Sequence, residues 1–335
     1  KARGMDNFSN WEIRALPPRL CESLLCIFNA IVRTGRWPPV FLKSRLSLLR
    51  KTAAIGDITT TRPITILATL YRLWAKVQAR KVFYHILPHL PDKLFGSVPG
   101  RGAGDMAIIE QAILEGSILD NEPICGCSLD LAKAYNTIPR PLLQRISSRL
   151  GLQQLWLPYQ TFLQQNVRHF ATNGSWGPPV ASRVGVPEGC PLAVIQMILV
   201  TWAVMNLVTS THPDVSMATY VDDWTVKHRS PLVVGQAFQQ IHDILKEVGM
   251  ALSIGKTKIF ATSTRARKQI HSEMLEREVL AEPLLAYTDL GVDFNTGYRY
   301  LCTSRNERLA KAIPRLRKLQ WMPWHRERKA SVLKR

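Results

Sequence analysis

Acid is scarce in this chain: 25 Asp and Glu stand against 44 Lys and Arg, a net charge of +19 over 335 residues. A surface that basic implies a polyanionic partner, and nucleic acid is the first choice because neutralised phosphates release their counterions. Cysteine is scarce as well. Cys21, Cys26, Cys125, Cys127, Cys190 and Cys302 include no paired C-x2-C with further Cys or His partners, so a zinc ribbon lacks its signature and the six read as reduced core thiols. No export signal, internal repeat, low-complexity tract or Gly/Ser linker is visible. Long apolar runs are nearly absent. The one exception, Cys190 to Val208, has Gln196 and Asn206 as its strongly polar side chains and Pro191 near its start. It reads as a helix buried at the centre of a soluble fold, and no membrane partner is expected.

What remains is an ordinary globular composition, 46% hydrophobic and 21% charged, on a chain long enough for two or three subdomains. Pro17-Pro18 opens a helical pattern to Thr34 with Gly35 as its stop. Phe41 to Leu49 alternates as a strand, and helices are expected over Ala68 to Ile86 and Asp105 to Leu119. The glycine-rich stretch Gly96 to Gly104 should be a loop close to a ligand. Strand, helix, strand, helix and hairpin follow to residue 230, then a helix over Leu232 to Val248, strands near 257–262 and 298–302, and a last helix over Glu307 to Gln320.

The most informative segment is Tyr220-Val221-Asp222-Asp223, two adjacent carboxylates at the tip of a hairpin with arms 217–221 and 224–228 rich in β-branched and aromatic residues. Like charges side by side repel, so such a pair, if partly buried, calls for a cation; taken alone it reads more readily as a solvated turn. A second acid, Asp130, ends the apolar strand 124–130.

Together these residues carry a resemblance. Asp130 with Lys133-Ala134-Tyr135 is similar to the first catalytic motif of reverse transcriptases, and Tyr220 to Asp223 to their Y-x-D-D motif. Gly185-Val186-Pro187-Glu188-Gly189-Cys190-Pro191-Leu192 resembles G-x-P-Q-G-x-P-L, and Leu252 to Thr257 and Leu290-Gly291-Val292 resemble the segments that follow. Arg62-Pro63-Ile64-Thr65-Ile66-Leu67 and Phe95-Gly96-Ser97-Val98-Pro99-Gly100-Arg101-Gly102 point to the non-LTR retrotransposon branch.

The resemblance implies an α+β right-hand polymerase fold. Its parts would be fingers over 1–122, palm over 123–138, a fingers/palm connection over 139–182, palm again over 183–299 with an antiparallel sheet and helices, and the start of a thumb over 300–335. It implies an RNA-directed DNA polymerase that extends a DNA primer on an RNA template with dNTPs. Phosphoryl transfer of this kind uses two divalent cations about 3.5–4 Å apart. Mg2+ is the preferred ion, with Mn2+ as an alternative. Asp130 and Asp222 would bridge them, with Asp223 in support because successive strand residues face opposite ways, and with the Leu131 carbonyl as a further ligand.

By the same resemblance Lys256 protonates or neutralises the leaving pyrophosphate, and Tyr135 lies under the sugar, where its ring would clash with a 2′-hydroxyl. Lys51 and Arg62 would meet the triphosphate, beside Pro187, Glu188 and Gly189. Phe95 and Arg101 would hold the template, and Gly291, Arg308, Lys311 and Arg315 the duplex. Two residues depart from the family pattern: Asn136 stands where Asp is common, and Glu188 replaces Gln, adding negative charge near the triphosphate. A catalytically decayed nucleic-acid-binding relic is therefore the alternative. An RNA-dependent RNA polymerase is disfavoured, since those usually carry Gly-Asp-Asp and lack the bulky residue at 135. The first residue, Lys1, and the basic helical pattern at the end lead to the expectation of a fragment of a longer polyprotein. An intracellular, nuclear location is expected by resemblance alone.

Overall fold

The computed structural model describes residues 3–50, 61–172, 175–298 and 302–320. The first elements are helical. Helix α1 (Asn10–Arg14) is closed by a capping box in which Ser9 and Glu12 exchange side-chain and backbone hydrogen bonds. Helix α2 (Pro18–Thr34) begins with Pro in its first turn and stops at Gly35, whose φ of 67° is the left-handed value that ends helices without a Cβ clash. Strands β1 (Lys43–Arg50) and β2 (Thr61–Ile66) pair antiparallel, and the expected strand at 41 starts later because Pro39–Leu42 winds as a 3-10 turn. Helices α3 (Thr69–Ile86) and α4 (Ala103–Leu119) follow.

Strand β3 (Cys125–Asp130) leads into short helices α5 (Ala134–Thr137), α6 (Arg140–Arg149) and α7 (Gln153–Gln165). Strands β4 (Val167–Thr172) and β5 (Ser175–Ala181) return to the first sheet, whose order is β2-β1-β4-β5 with β1 and β4 parallel. Helix α8 (Pro191–Thr211) is the apolar run. By length and hydropathy alone it could cross a membrane, but 67% of its most apolar stretch is buried inside the protein, where it packs on α3 and α9.

The hairpin β6 (Ser216–Tyr220) and β7 (Asp223–His228) joins β3 in a second sheet, continued by α9 (Pro231–Glu247), β8 (Lys258–Ala261), α10 (Thr264–Leu275) and β9 (Pro283–Leu284). Its order is β6-β7-β3-β8-β9, antiparallel except for the β8/β9 edge. A separate hairpin, β10 (Ala286–Asp289) and β11 (Val292–Asn295), precedes α11 (Thr303–Gln320). The strand expected near 298–302 falls largely on 299–301, outside the described residues.

The second sheet has two unlike faces, as the two-residue period of a strand requires. Cys125, Cys127, Leu129, Trp224 and Val226 point into the main core with α8, α9 and α10. Gly126, Ser128 and Asp130 point the other way, level with Lys227, Thr225 and Asp223. That polar face is covered by α4 and the β10/β11 hairpin, where Phe260, Tyr287 and Phe294 stack on Ala107 and Leu114.

Beneath α4 the side chains of Lys227 and Glu110, 2% and 3% exposed, form an ion pair. Burial pulls the Lys227 pKa down and Glu110 opposes it. Removing one partner of such a pair strands a charge in the interior. Glu110→Ala is expected to lower unfolding free energy by about 3–5 kcal/mol, measured by urea denaturation, while Glu110→Leu with Lys227→Met recovers most of that loss. A single variant within about 0.5 kcal/mol of the parent, the range of ordinary surface changes, would show that the ammonium finds water or another acid.

Candidate active site

The acidic turn is tight and strained. Tyr220 pairs with Asp223, which leaves Val221 and Asp222 as a two-residue loop. Val221 has φ of 58°, a left-handed value that a β-branched residue adopts only when its surroundings force it. Those surroundings are visible. The Trp224 indole donates to the Val221 carbonyl at 3.0 Å, and Gly96 lies so close that a Cβ there would come within 2.0 Å of the Val221 nitrogen. The Phe95 and Gly96 amides donate to the Thr219 carbonyl at 2.9 and 3.3 Å, and the Thr219 amide donates to the Lys93 carbonyl at 2.9 Å. Gly96, the first residue of the glycine-rich loop, braces the acidic turn, where only a residue without a Cβ fits.

Strand pairing sets Asp130 directly opposite Asp223, so these two share one face of the sheet. Asp222 sits in the turn, with its carbonyl accepting the Leu131 amide at 3.1 Å. Burial first, then the carboxylates of Asp289, Asp222 and Asp130, push the Asp223 pKa from 3.8 up to about 7, against a lowering by Lys258. Lys256, 67% exposed, donates to Asp130 Oδ2 at 2.7 Å.

Among the described residues no three His, Cys, Asp or Glu side chains close into a preformed metal cage. The donor set nonetheless fits Mg2+, which binds through one or two carboxylates and completes its shell with water and phosphate oxygens. Burial and three neighbouring carboxylates raise the Asp223 pKa, so a cation bound there would favour its ionised form. Because the folded value lies above the ordinary one, this group favours folding at low pH and that advantage is lost as pH rises through about 7. A cation that favours the ionised form offsets the loss. Mg2+ is therefore expected to raise the thermal midpoint more at pH 8 than at pH 6; an equal or reversed shift would place the ion elsewhere.

Tyr135 stands beside this centre. Its phenol is pushed up to about 12, by burial first and then by Asp222 and Glu188. The Val186 amide donates to the Tyr135 carbonyl at 2.8 Å and the Gly185 amide to the Ile138 carbonyl at 3.1 Å, which holds the 185–190 loop against the Tyr135 turn. Gly185 packs so that a Cβ would meet the Asn136 backbone at 2.4 Å, and its φ is 72°. Tyr135, Glu188, Gly189 and Pro191 line an open cleft of about 1090 Å³ shared with Trp11, Arg14, Arg72 and Lys76.

The two residues that depart from the family pattern touch each other: Asn136 Nδ2 donates to Glu188 Oε1 at 2.8 Å. Arg168, whose own pKa burial lowers, is close enough to feel the Glu188 charge. The glutamate expected to repel the triphosphate thus has an amide and a guanidinium for company. Asn136→Asp would set two carboxylates face to face, and it is expected to raise the Michaelis constant for dNTPs about tenfold, with Asn136→Asp/Glu188→Gln returning to near the parental value. Failure of the double variant to restore the constant would show that the contact has no part in substrate binding.

The remaining sequence-derived residues scatter. Phe95, expected on the template, is 4% exposed and packs with Met106 and Ala218 against Tyr220 and Leu290, so its ring has no open face for a base. The Arg101 guanidinium is turned inward to the carbonyls of Pro91 and Leu94, with Asp92 alongside. Arg308 and Lys311 are exposed on α11, which packs against β11, and Arg315 follows on the same helix. Arg62 lies on β2 across from Leu49, and Pro187 is buried in the 185–190 loop. Lys51 falls outside the described residues. Sequence reasoning misses Asp289 and Ser128, joined at 2.8 Å across 161 positions; a lone acid before Leu290-Gly291 is the available signal.

Comparison with known proteins agrees with this geometry. The reverse transcriptase (RNA-dependent DNA polymerase) family model matches residues 49–284. The RNA-directed DNA polymerase from the mobile element jockey of Drosophila melanogaster is 26% identical over 261 residues, 74% of this chain and 28% of that protein. The probable RNA-directed DNA polymerase from transposon BS of the same fly is 24% identical over 238 residues, 69% of this chain and 26% of that one. The chain thus spans about a quarter of the length of these curated relatives. Among solved structures, telomerase from Candida tropicalis in complex with a TWJ fragment of telomeric RNA superposes with a TM-score of 0.54 at 10% identity, covering 76% of this chain and 44% of that one. Telomerase from Candida albicans gives 0.52 at 12% identity over 90% and 55%. Those identities speak to fold alone, and the fold is the right-hand polymerase fold. With a family match over more than half its length and the motifs in register, the chain belongs to the reverse transcriptase family.

Proposed function

We propose that this chain extends the 3′-hydroxyl of a DNA primer along an RNA template, using dNTPs. The observation that carries the reading is the register that faces Asp130 to Asp223 with Asp222 in the adjoining turn, next to a cleft lined by Tyr135 and residues 188–191. Two Mg2+ ions would be held by Asp130, Asp222 and Asp223 with the Leu131 carbonyl, and would supply charge neutralisation at the phosphates and activation of the primer hydroxyl. The chain's own residues do the rest. Lys256, ion-paired to Asp130, is the candidate donor to the leaving pyrophosphate. Tyr135 fills the space beneath the sugar. Lys51 and Arg62 are assigned to the triphosphate, and Pro187, Glu188 and Gly189 to the incoming nucleotide. Arg308, Lys311 and Arg315 are assigned to the duplex backbone, consistent with an excess of 19 positive charges.

The division into fingers, palm and thumb, and a nuclear place of action, belong to the same proposal. Incubating the chain with a labelled primer on RNA, Mg2+ and dNTPs tests it. Extension that stops when Mg2+ is chelated is the expected result. Salt-sensitive binding without extension would favour the relic, a reading motivated by Glu188 and Asn136 and weakened by their mutual hydrogen bond.

A further inference from the structure

Asp289 is 9% exposed and both of its oxygens are committed. Oδ2 accepts the Ser128 hydroxyl at 2.8 Å, and Oδ1 accepts the Leu290 amide at 3.0 Å. Ser128 stands two residues before Asp130 on β3, and so on the same face, where its cross-strand neighbour is Thr225. A second tie runs alongside: Lys258, the partner of Ser128 on β8, donates to the Thr288 carbonyl at 2.6 Å.

The two residues between β10 and β11, Leu290 and Gly291, have φ of 49° and 72°, both left-handed, as in a two-residue turn of the mirror-image type. Glycine adopts that state freely and leucine does not, so something must hold Leu290 there. The Asp289 carboxylate on its amide does so, together with packing of its side chain against the Phe95 and Tyr220 cluster. On its far side the turn touches α11, since a Cβ on Gly291 would come within 2.8 Å of the Arg308 guanidinium. One buried side chain therefore joins the turn beneath α11 to the strand that carries Asp130.

We propose that Asp289 is a positioning residue that clamps the Leu290-Gly291 turn to β3 through Ser128, so that the turn, with Arg308 of α11 packed against it, is held in fixed relation to Asp130 and Asp223. The inference rests on the polymerase reading for its consequence, and on the hydrogen bonds alone for its geometry. A hydroxyl two residues from a catalytic carboxylate is then fully used by a partner far along the chain. A misplacement of about 1 Å at a reacting centre slows chemistry by up to about a hundredfold without loosening the ligand.

The test compares Ser128→Ala, Ser128→Thr, Asp289→Ala and the double Ser128→Ala/Asp289→Ala by single-nucleotide insertion, with primer-template binding measured in parallel. Ser128→Ala and Asp289→Ala are each expected to lower kcat about tenfold or more, leaving the dNTP Michaelis constant and the primer-template Kd within about threefold. The double variant should be no slower than the slower single, and Ser128→Thr, which keeps the hydroxyl, should return most of the rate. Multiplicative losses in the double variant, or a parental kcat in Ser128→Ala, would overturn the clamp. A second readout does not depend on polymerisation. Amide hydrogen exchange at Leu290 should quicken at least about tenfold in Ser128→Ala with the thermal midpoint little changed, because the carboxylate loses its anchor. Unchanged exchange would remove the clamp even if the parent protein extends primers; faster exchange in a parent that extends nothing would keep the clamp and remove the polymerase reading.

Discussion

Asp222→Asn and Asp130→Asn are each expected to lose primer extension by about three orders of magnitude or more, equivalent to about 4 kcal/mol of transition-state stabilisation, while primer-template affinity stays within about threefold. The asymmetry follows from charge. Binding draws on a chain with 44 Lys and Arg, to which one carboxylate is a small perturbation, whereas the proposed chemistry depends on three acids gathered where β3 meets the β6/β7 turn. Asp130→Asn carries a second consequence, since it also removes the partner of Lys256. Single-turnover extension and anisotropy on the same hybrid measure the two quantities. More than about a tenth of the parental rate in either variant would sink the two-ion assignment.

Tyr135→Ala is expected to cut the preference for dNTPs over rNTPs by about two orders of magnitude, or about 3 kcal/mol, with dNTP use itself falling modestly. Burial and the charges of Asp222 and Glu188 push the phenol up to about 12, so the expected effect is that of lost bulk and not of a lost charge. The 185–190 loop is bonded to its backbone and fixes the ring's position without depending on the ring. The turn should therefore survive truncation to Ala. Insertion of each nucleotide type on one primed RNA gives the ratio. A ratio unchanged by the substitution would make Tyr135 a packing residue and move sugar selection elsewhere.

Much of the fold and of the site is legible in the order of residues. Helix α2 shows itself through Pro18 and Gly35, the hairpin through its alternating arms, and α8 through an apolar run whose isolated Gln196 and Asn206 argue for burial. Asp130, Asp222 and Asp223 are legible through the motifs they share with reverse transcriptases, since the acidic pair alone reads more readily as a solvated turn. What escapes has weak local signals or distant partners. Strand β5 hides behind Pro178 and Pro179, residues at home only at a sheet edge, and β5 is indeed an edge. Helix α10 buries only Ala266, Ile270 and Met274, one residue per turn on an otherwise polar helix. Phe95 misleads because an aromatic beside glycines looks the same whether it meets a base or a neighbouring strand; only the Thr219 pairing tells them apart. Asn136 with Glu188, and Ser128 with Asp289, are 52 and 161 positions apart, so each looks like an isolated oddity or like nothing at all.

The central claim is template-directed DNA synthesis at the Asp130, Asp222 and Asp223 cluster. Four RNA templates that differ at the first unpaired base, each annealed to the same DNA primer and offered the four dNTPs singly with Mg2+, test it most directly. Addition of the complementary nucleotide alone on each template, and none by Asp222→Asn, is the expected result. Addition of the same nucleotide on every template, or equal addition by Asp222→Asn, would contradict it.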